Sequence, residues 1–171
     1  IMKLTERNTL LAQAIFLFIL GFSLYANTLS HSWASDDTLV ITENRFTKDG
    51  LEGIKKIWTS DSFDGYFDEG KNLLPGGRYR PLSQTIFNVQ YTLMGGELNP
   101  SLGHLTNVIL FPIAIILLFL FLTRLFKNHD PTKGIFSIAF IASLLIAAHP
   151  LNTEVVANIK SLDFILSMIF S

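Results

Sequence analysis

Hydrophobic residues along this chain are gathered into long blocks that are separated by polar stretches. Residues 8–35 contain no Asp, Glu, Lys or Arg, and residues 105–123 are likewise free of charge. About 20 apolar helical residues are needed to cross a hydrocarbon layer of roughly 30 Å. The pattern therefore predicts membrane-spanning helices over about residues 9–28 and 104–126.

Two further apolar blocks follow the second predicted span. One covers residues 133–149 and ends at Pro150, because proline cannot continue a helix. The other begins at Phe164 and has too few residues before the end of the sequence to cross a membrane. We therefore expect residues 1–171 to be the amino-terminal part of a polytopic, all-α integral membrane domain, with a fourth span only begun.

An alternative for the first block is a secretory signal peptide, since Lys3 and Arg7 supply a basic amino-terminal region. The apolar stretch is longer than the core of such a peptide, and residues 25–27 form a poor cleavage site. A retained span is therefore the favoured interpretation.

Basic residues beside the predicted spans set the expected orientation. They are Lys3, Arg7, Arg124, Lys127 and Lys133. Short segments that carry positive charge stay in the cytoplasm. The segments 30–101 and 151–163 are then expected on the outer side of the membrane.

The segment 30–101 is expected to carry short helices at the membrane interface. The first predicted helix has apolar or aromatic side chains at helical spacing and two lysines suited to the headgroup region, namely Leu51, Ile54, Ile57, Trp58, Lys55 and Lys56. Packing of this helix on the rest of the protein is an equal alternative.

Pro81 predicts the start of a second helix, which ends before Gly95. Its apolar stripe consists of Leu82, Ile86, Val89 and Leu93. Between the two helices, residues 61–77 are predicted to form a loop.

Composition and charge exclude several classes of protein. Hydrophobic residues make up 49% of the chain and charged residues 16%, against about 25% charged in soluble domains. A net charge of -1 offers no basic surface for nucleic acid. Without cysteine, the chain has neither disulfides nor thiolate metal sites. The apolar cores of the predicted spans lack ionisable residues, which argues against an ion or proton transporter.

Two adjacent carboxylates, Asp36 and Asp37, follow the first predicted span. Like charges placed close together disfavour double ionisation, and partial desolvation raises the pKa of a carboxyl group. Such an arrangement tunes a general base or a pair of metal ligands. A solvated turn or a helix cap is the plainer alternative.

Cationic residues on the same predicted side are candidate phosphate ligands. Arg78 and Arg80 precede a predicted helix start, and His149 follows the third predicted span. Pairing of the arginines with nearby acids, or capping of the span by His149, are the alternatives. The segment 151–163 adds three supporting charges, Glu154, Lys160 and Asp163. Together these groups suit transfer from a lipid phosphate, in which an acid accepts a proton and cations stabilise the departing phosphate.

The same residues carry a resemblance to a known family. The blocks are residues 36–41 (DDTLVI) with Asn44, residues 79–82 (YRPL), residues 104–108 (HLTNV) and residues 149–154 (HPLNTE). In this order, over residues 36–163, the chain resembles the GT-C membrane glycosyltransferases. In particular it resembles the transmembrane and tetratricopeptide-repeat O-mannosyltransferases and their bacterial relatives.

The resemblance implies an inverting glycosyltransferase with a GT-C fold. It would move a sugar, expected to be mannose, from a polyprenyl-phosphate-linked donor to an acceptor hydroxyl, either a protein Ser or Thr or a glycan. Asp36 and Asp37 would be the catalytic pair, and Arg78, Arg80 and His149 would bind the donor phosphate. Metal use varies in the family, so a divalent cation, Mg or Mn, at the pair stays open.

Further expectations concern location and the whole protein. The resemblance implies a multi-pass protein of the bacterial inner membrane, in contact with membrane lipid, with its active site facing the periplasm. Relatives often carry an Arg before and an acid after the position of Asp163, where this chain has Leu162 and Phe164. We expect the 171 residues to be inactive alone. The alternative function is a non-catalytic subunit of a membrane complex that retains a GT-C-like framework.

Overall fold

The computed structural model describes residues 4–67, 78–126 and 136–171. All regular elements within these ranges are helical, which confirms the all-α expectation for this part of the chain. Some of the predicted features lie outside the described residues. These are Lys3, Lys127, Lys133, the second part of the loop 61–77 and the first residues of the predicted third span.

The helices of the described residues are α1 (Leu4–Tyr25), α2 (Arg45–Lys48), α3 (Gly53–Thr59), α4 (Pro81–Leu93), α5 (Pro100–Leu125), α6 (Ile138–Ala147), α7 (Asn152–Ala157) and α8 (Leu162–Phe170). Tighter 3-10 turns lie at Ala26–Ser30, Gly50–Glu52 and Ile159–Ser161, and one π-helical turn lies at Thr38–Thr42.

Within the described residues, two segments are long and apolar enough to cross a membrane. They are Glu6–Ser30 and Pro100–Leu125, with 25 and 26 residues. α6 has ten described residues, which span about 15 Å at 1.5 Å per residue. That is shorter than the predicted span 133–149. α8 begins at Leu162, two residues before the predicted start of the fourth span.

α1 and α5 pack side by side and run in opposite directions. Near the end of α1, Gly21 lies against the middle of α5, where a Cβ atom on the glycine would be 3.0 Å from the Cβ of Pro112. Tyr25 contacts Phe111, with ring centroids 5.3 Å apart. Since the end of α1 meets the first half of α5, the segment 30–101 begins and ends at the same end of this helix pair.

The chain between α6 and α8 reaches that same end. Asn107, near the start of α5, donates hydrogen bonds from Nδ2 to the backbone carbonyls of Val156 at 3.3 Å and Asn158 at 3.0 Å. Gly103 lets this chain approach closely, because a Cβ atom there would be 2.7 Å from the Cγ2 of Ile159. Both connecting segments therefore meet over the first turns of α5, where the charged residues gather.

α4 forms where the sequence predicts it, but its apolar stripe is not its buried face. The buried residues of the helix are Ser83, Gln84, Phe87 and Asn88. Leu82 and Leu93 are 40% and 77% exposed. The polar face is buried because it bonds to backbone groups, as in the 3.0 Å hydrogen bond from Asn88 Nδ2 to the carbonyl of Phe46.

α3 packs beside α4, and it too has both buried and exposed apolar side chains. Ile57 is buried, whereas Leu51, in the turn before α3, and Trp58 are 62% and 49% exposed. The indole Nε1 of Trp58 donates to the hydroxyl of Thr85 on α4 at 3.0 Å. The two short helices thus form one unit beside the long helix pair, with apolar side chains left at its surface.

Candidate functional site

Asp37 is fully buried and holds two distant pieces of backbone together. Its Oδ2 accepts a hydrogen bond from the N–H of Ala34 at 2.8 Å, and its Oδ1 accepts one from the N–H of Lys160 at 2.9 Å. Burial raises the pKa of Asp37 from its ordinary value, although both backbone hydrogen bonds act in the opposite direction. The carboxyl group of Asp37 is therefore engaged in fixing the chain.

Asp36 has a very different environment from its neighbour. Its side chain is 56% exposed and forms an ion pair with the Nζ of Lys160, whose own side chain is 27% exposed. The carboxylate is thus held in place by one cation and remains open to solvent. Of the adjacent pair, Asp36 is the group that an incoming molecule can reach.

A second ion pair lies close to the first. Arg80 pairs with Asp163, and their side chains are 43% and 16% exposed. The Oδ1 of Asp163 is buried and has no hydrogen-bond partner within the described residues. Because Lys160 and Asp163 belong to one short stretch at the start of α8, the two ion pairs share a common support.

A cleft adjoins these ion pairs. The cleft is small and partly open to solvent. Its charged lining residues are Arg78, Arg80 and Lys160, and no carboxylate lines it within the part of the chain that the structure describes. Three cations around one opening favour an anion, and guanidinium groups suit a phosphate in particular.

The two arginines are positioned through backbone contacts with an earlier loop. The N–H of Ser62 donates to the carbonyl of Arg78 at 2.9 Å, and the N–H of Arg80 donates to the hydroxyl of Ser62 at 3.1 Å. Asp61 accepts a hydrogen bond from the N–H of Arg78. The guanidinium of Arg78 lies 5.0 Å from the ring centroid of Phe63, in the cation–π range.

Asn44 connects this loop to the aspartate segment. It is fully buried, and its Nδ2 donates to the carbonyls of Leu39 at 2.9 Å and Ser62 at 2.8 Å. Its Oδ1 accepts from the N–H of Phe46 at 3.1 Å and so caps α2. The side chain lies so close to Gly65 that a Cβ atom there would overlap it. Asn44 therefore serves the site by holding its backbone.

For two of the residues singled out in the sequence, the described residues show no contact with this group. His149 is exposed after α6, where its Nδ1 accepts a hydrogen bond from the N–H of Leu151 at 3.3 Å. Glu154 is exposed on α7. Within the described ranges, the structure shows no ion pair between either side chain and the charged residues around Lys160.

Sequence reasoning assigned no role to His104, which lies beneath the aspartates. Its residue surface is 1% exposed, and it is close enough to Asp37 for an electrostatic interaction. Its ring lies edge-on to that of His31, with centroids 6.0 Å apart. The Ser32 backbone is nearby, yet neither ring nitrogen completes a hydrogen bond of good geometry with the described residues. The available signal was a histidine at the start of the second predicted span.

The described carboxylates do not assemble a metal site by themselves. No group of three or more His, Cys, Asp or Glu side chains is arranged around a common point in the described ranges. Both oxygens of Asp37 already accept backbone hydrogen bonds, so only Asp36 of the pair is free to turn toward a ligand. The donor set therefore gives no support to the divalent cation left open by the sequence.

The chain is similar to curated proteins named protein O-mannosyl-transferases. It is 33% identical to TMTC2 of Mus musculus over 160 residues, which are 88% of this chain and 17% of that protein. It is 30% identical to TMTC3 of Homo sapiens over 146 residues, 85% of this chain and 14% of that protein. For F38B6.6 of Caenorhabditis elegans the identity is 30% over 158 residues, 92% of this chain and 21% of that protein.

These similarities extend over most of this chain but over a small part of each relative. The chain spans less than a quarter of the length of the curated relatives it matches. No family model matches the chain. No solved structure matches it either.

Proposed function

Because this chain is a relative, over most of its own length, of the TMTC family of protein O-mannosyl-transferases, we propose that the natural protein containing it transfers mannose to Ser or Thr hydroxyls of proteins. The proposed donor is mannose linked to a polyprenyl phosphate. The proposed site of transfer is the outer face of the membrane, which in a bacterium is the periplasmic face of the inner membrane. The cytoplasmic face would then lie at the end of α5.

One observation carries this proposal. A solvent-accessible carboxylate, Asp36, is paired with Lys160, and Lys160 lines a cleft together with Arg78 and Arg80. Transfer from a glycosyl phosphate needs a base for the acceptor hydroxyl and cations for the departing phosphate. The arrangement supports this chemistry because both requirements are met within one small region.

In the proposed reaction, Asp36 accepts the proton of the acceptor hydroxyl. The acceptor oxygen forms a bond to the anomeric carbon on the face opposite to the phosphate, and the bond between that carbon and the phosphate oxygen breaks. The bonding electrons leave with the polyprenyl phosphate, whose charge Arg78, Arg80 and Lys160 stabilise. Attack on the opposite face accounts for inversion at the anomeric carbon.

Asp37 acts in this proposal as a positioning residue. By accepting hydrogen bonds from Ala34 and Lys160, it fixes the turn that carries Asp36 against the segment that carries its cationic partner. The ion pair with Lys160 holds the Asp36 carboxylate in place before substrates bind, and the pair of Arg80 with Asp163 holds the guanidinium near the cleft. The donor phosphate then competes for both cations.

The decisive test is the variant Asp36→Asn in the intact natural protein that contains this chain, assayed in membranes. We expect mannose transfer from a polyprenyl-phosphate donor to a Ser/Thr peptide to fall by about 100-fold or more, the usual contribution of a general base. Glu43→Gln is the matched control, because Glu43 is 62% exposed and pairs only loosely, at 3.7 Å, with Lys48. It should retain nearly full activity.

The outcome separates the catalytic proposal from its alternative. If Asp36→Asn inserts normally and keeps more than a tenth of the wild-type rate, Asp36 is not the base. If the wild-type protein transfers no sugar from any donor of this class, the non-catalytic subunit becomes the better interpretation. Insertion of each variant is measured by its fractionation with the membrane.

A further inference from the structure

A buried amide lines the same cleft as the three cations. Gln84 lies on α4 and is 2% exposed. Its Nε2 makes only long hydrogen bonds, to the hydroxyl of Thr47 at 3.4 Å and to the carbonyl of Ser62 at 3.5 Å. Its Oε1 has no hydrogen-bond partner within the described residues. Buried polar atoms are nearly always hydrogen-bonded, so this acceptor has an unused capacity beside an open cleft.

The position of Gln84 distinguishes it from a second buried amide on the same helix. Asn88 lies one turn further along α4, and its Oδ1 also has no partner within the described part of the chain. Asn88 does not line the cleft, however, and its Nδ2 donates to the backbone carbonyls of Phe46 and Gly50. Asn88 thus has a structural role, whereas Gln84 is weakly bonded and lines the cleft.

The lining of the cleft divides into a cationic part and an uncharged part. Gln84 belongs to the uncharged part, together with the apolar side chains of Val40 and Phe87. Ligand sites commonly combine an apolar surface with a few well-placed polar groups. A sugar requires both, because its C–H groups pack on apolar side chains while its hydroxyls need hydrogen-bond acceptors. A neutral amide can also accept a hydrogen bond from a hydroxyl group without repelling a nearby phosphate.

On the basis of the proposed function, we propose that Gln84 is a specificity-determining residue whose Oε1 accepts a hydrogen bond from one hydroxyl of the donor's glycosyl group. The phosphate of the same donor lies against Arg78, Arg80 and Lys160. Sites built to bond a substrate hydroxyl strongly disfavour analogues that lack it, since the buried acceptor is then left unpaired. Gln84 therefore selects among sugars by the hydroxyl it reads.

The test pairs Gln84→Met in the intact natural protein with deoxygenated donors. Mannosyl polyprenyl phosphate and its 2-, 3-, 4- and 6-deoxy analogues are the probes. We expect Gln84→Met to lower kcat/KM for the parent donor about tenfold, the size of one net hydrogen bond. For one deoxy analogue, wild type and Gln84→Met should have equal kcat/KM, because neither can form the bond.

Two further variants make the result decisive. Asn88→Leu, the matched buried amide off the cleft, should reduce activity with all donors by the same factor. Gln84→Glu keeps an acceptor oxygen, so it should retain discrimination against the same deoxy analogue while its KM for every donor rises through repulsion of the phosphate. If Gln84→Met does not fold, the discrimination of Gln84→Glu against the deoxy analogue tests the role of Gln84 instead.

The inference is overturned if Gln84→Met lowers kcat/KM equally for all donors, or leaves it unchanged, while the wild-type protein transfers mannose and Asp36→Asn does not. That result would leave the proposed function standing. If the wild-type protein transfers sugar from none of these donors, both the proposed function and the role of Gln84 fail.

Discussion

At the scale of single residues, the two adjacent aspartates have different physical environments. Asp37 is fully buried and bonded to two backbone N–H groups, whereas the side chain of Asp36 is 56% exposed and paired with Lys160. Burial penalises the charged form of a carboxyl group, and exposure removes that penalty. Two residues of one type, next to each other, thus serve as a structural clamp and as an accessible base candidate.

The pKa of Asp37 predicts a pH dependence of stability. Because burial raises this pKa, the folded protein binds more protons than the unfolded chain between the ordinary Asp value and the raised one. The stabilising contribution is therefore fully present below the ordinary value and is lost as the pH rises through the raised pKa. We expect Asp37→Asn to remove this loss, measured as thermal unfolding midpoints between pH 4 and pH 7 in detergent.

The control for this measurement is Thr123→Ala, which changes no ionisable group and should therefore leave the pH dependence as in the wild-type protein. An identical slope in wild type and Asp37→Asn would contradict the assignment of the elevated pKa to Asp37.

The sequence predicted Asp36 and Asp37 as a catalytic pair, but it did not predict that one of them would be buried and the other exposed. Burial of Asp37 depends on contact with Lys160, which is 123 positions away in the chain. The same limit applies to His104, whose place beneath the aspartates follows from the packing of α5. His149 illustrates the converse, because sharing their expected side of the membrane did not imply a contact with the cations, and none is seen within the described residues.

At the scale of elements, α5 acts as the support for the segment that carries Lys160. Asn107 is fully buried and donates to carbonyls of that segment, and Gly103 lets Ile159 approach the helix. A helix that is apolar along most of its length thus gains a polar contact at one end. The ion pairs of the candidate site depend on this contact, because Lys160 and Asp163 belong to or directly follow the segment that Asn107 holds.

We expect Asn107→Ala to loosen the segment 156–160. Loss of its hydrogen bonds, one of them to the buried carbonyl of Val156, should lower the free energy of unfolding by about 2 kcal/mol. Chemical denaturation of the intact protein measures this loss, and hydrogen exchange should be faster at residues 156–160. Thr123→Ala, at the other end of α5, is the control, because the hydroxyl of Thr123 donates to the carbonyl of Phe119 in the same helix.

At the element scale, the sequence predicted where helices form better than it predicted which face of a helix is buried. The pattern from Pro81 onward predicted α4, but the buried face is the polar one with Gln84 and Asn88. Periodicity identifies the apolar side of a helix and assumes that this side is buried. Here amide side chains bond to neighbouring backbone, so Leu82 and Leu93 remain at the surface.

At the scale of the whole molecule, the antiparallel packing of α1 and α5 brings both connecting segments to one end of the helix pair. The ion pair between Asp36 and Lys160 joins those segments directly. Arg124 lies near the opposite end of α5, in its last turn. If the pair spans a membrane, the candidate site lies on one side and Arg124 on the other.

Single-cysteine labelling tests this arrangement, since the native chain has no cysteine. Ser35→Cys and Leu151→Cys replace exposed residues at the end that carries the candidate site, and Leu125→Cys replaces a residue that is 57% exposed at the other end. We expect a membrane-impermeant maleimide to label the first two in intact cells and Leu125→Cys only after permeabilisation. Labelling of Ser35→Cys and Leu151→Cys from opposite sides would contradict the shared end.

The hydrogen bond from the Lys160 backbone to Asp37 has a consequence for biosynthesis. Ribosomes add roughly 5–20 residues per second, so the partner of Asp37 follows it by roughly 6–25 seconds over the 123 positions between them. Throughout that interval the nascent chain carries both aspartates without their later partner. A polypeptide whose translation stalls in this window can insert α1 and α5 and still lack the clamp on which the candidate base depends.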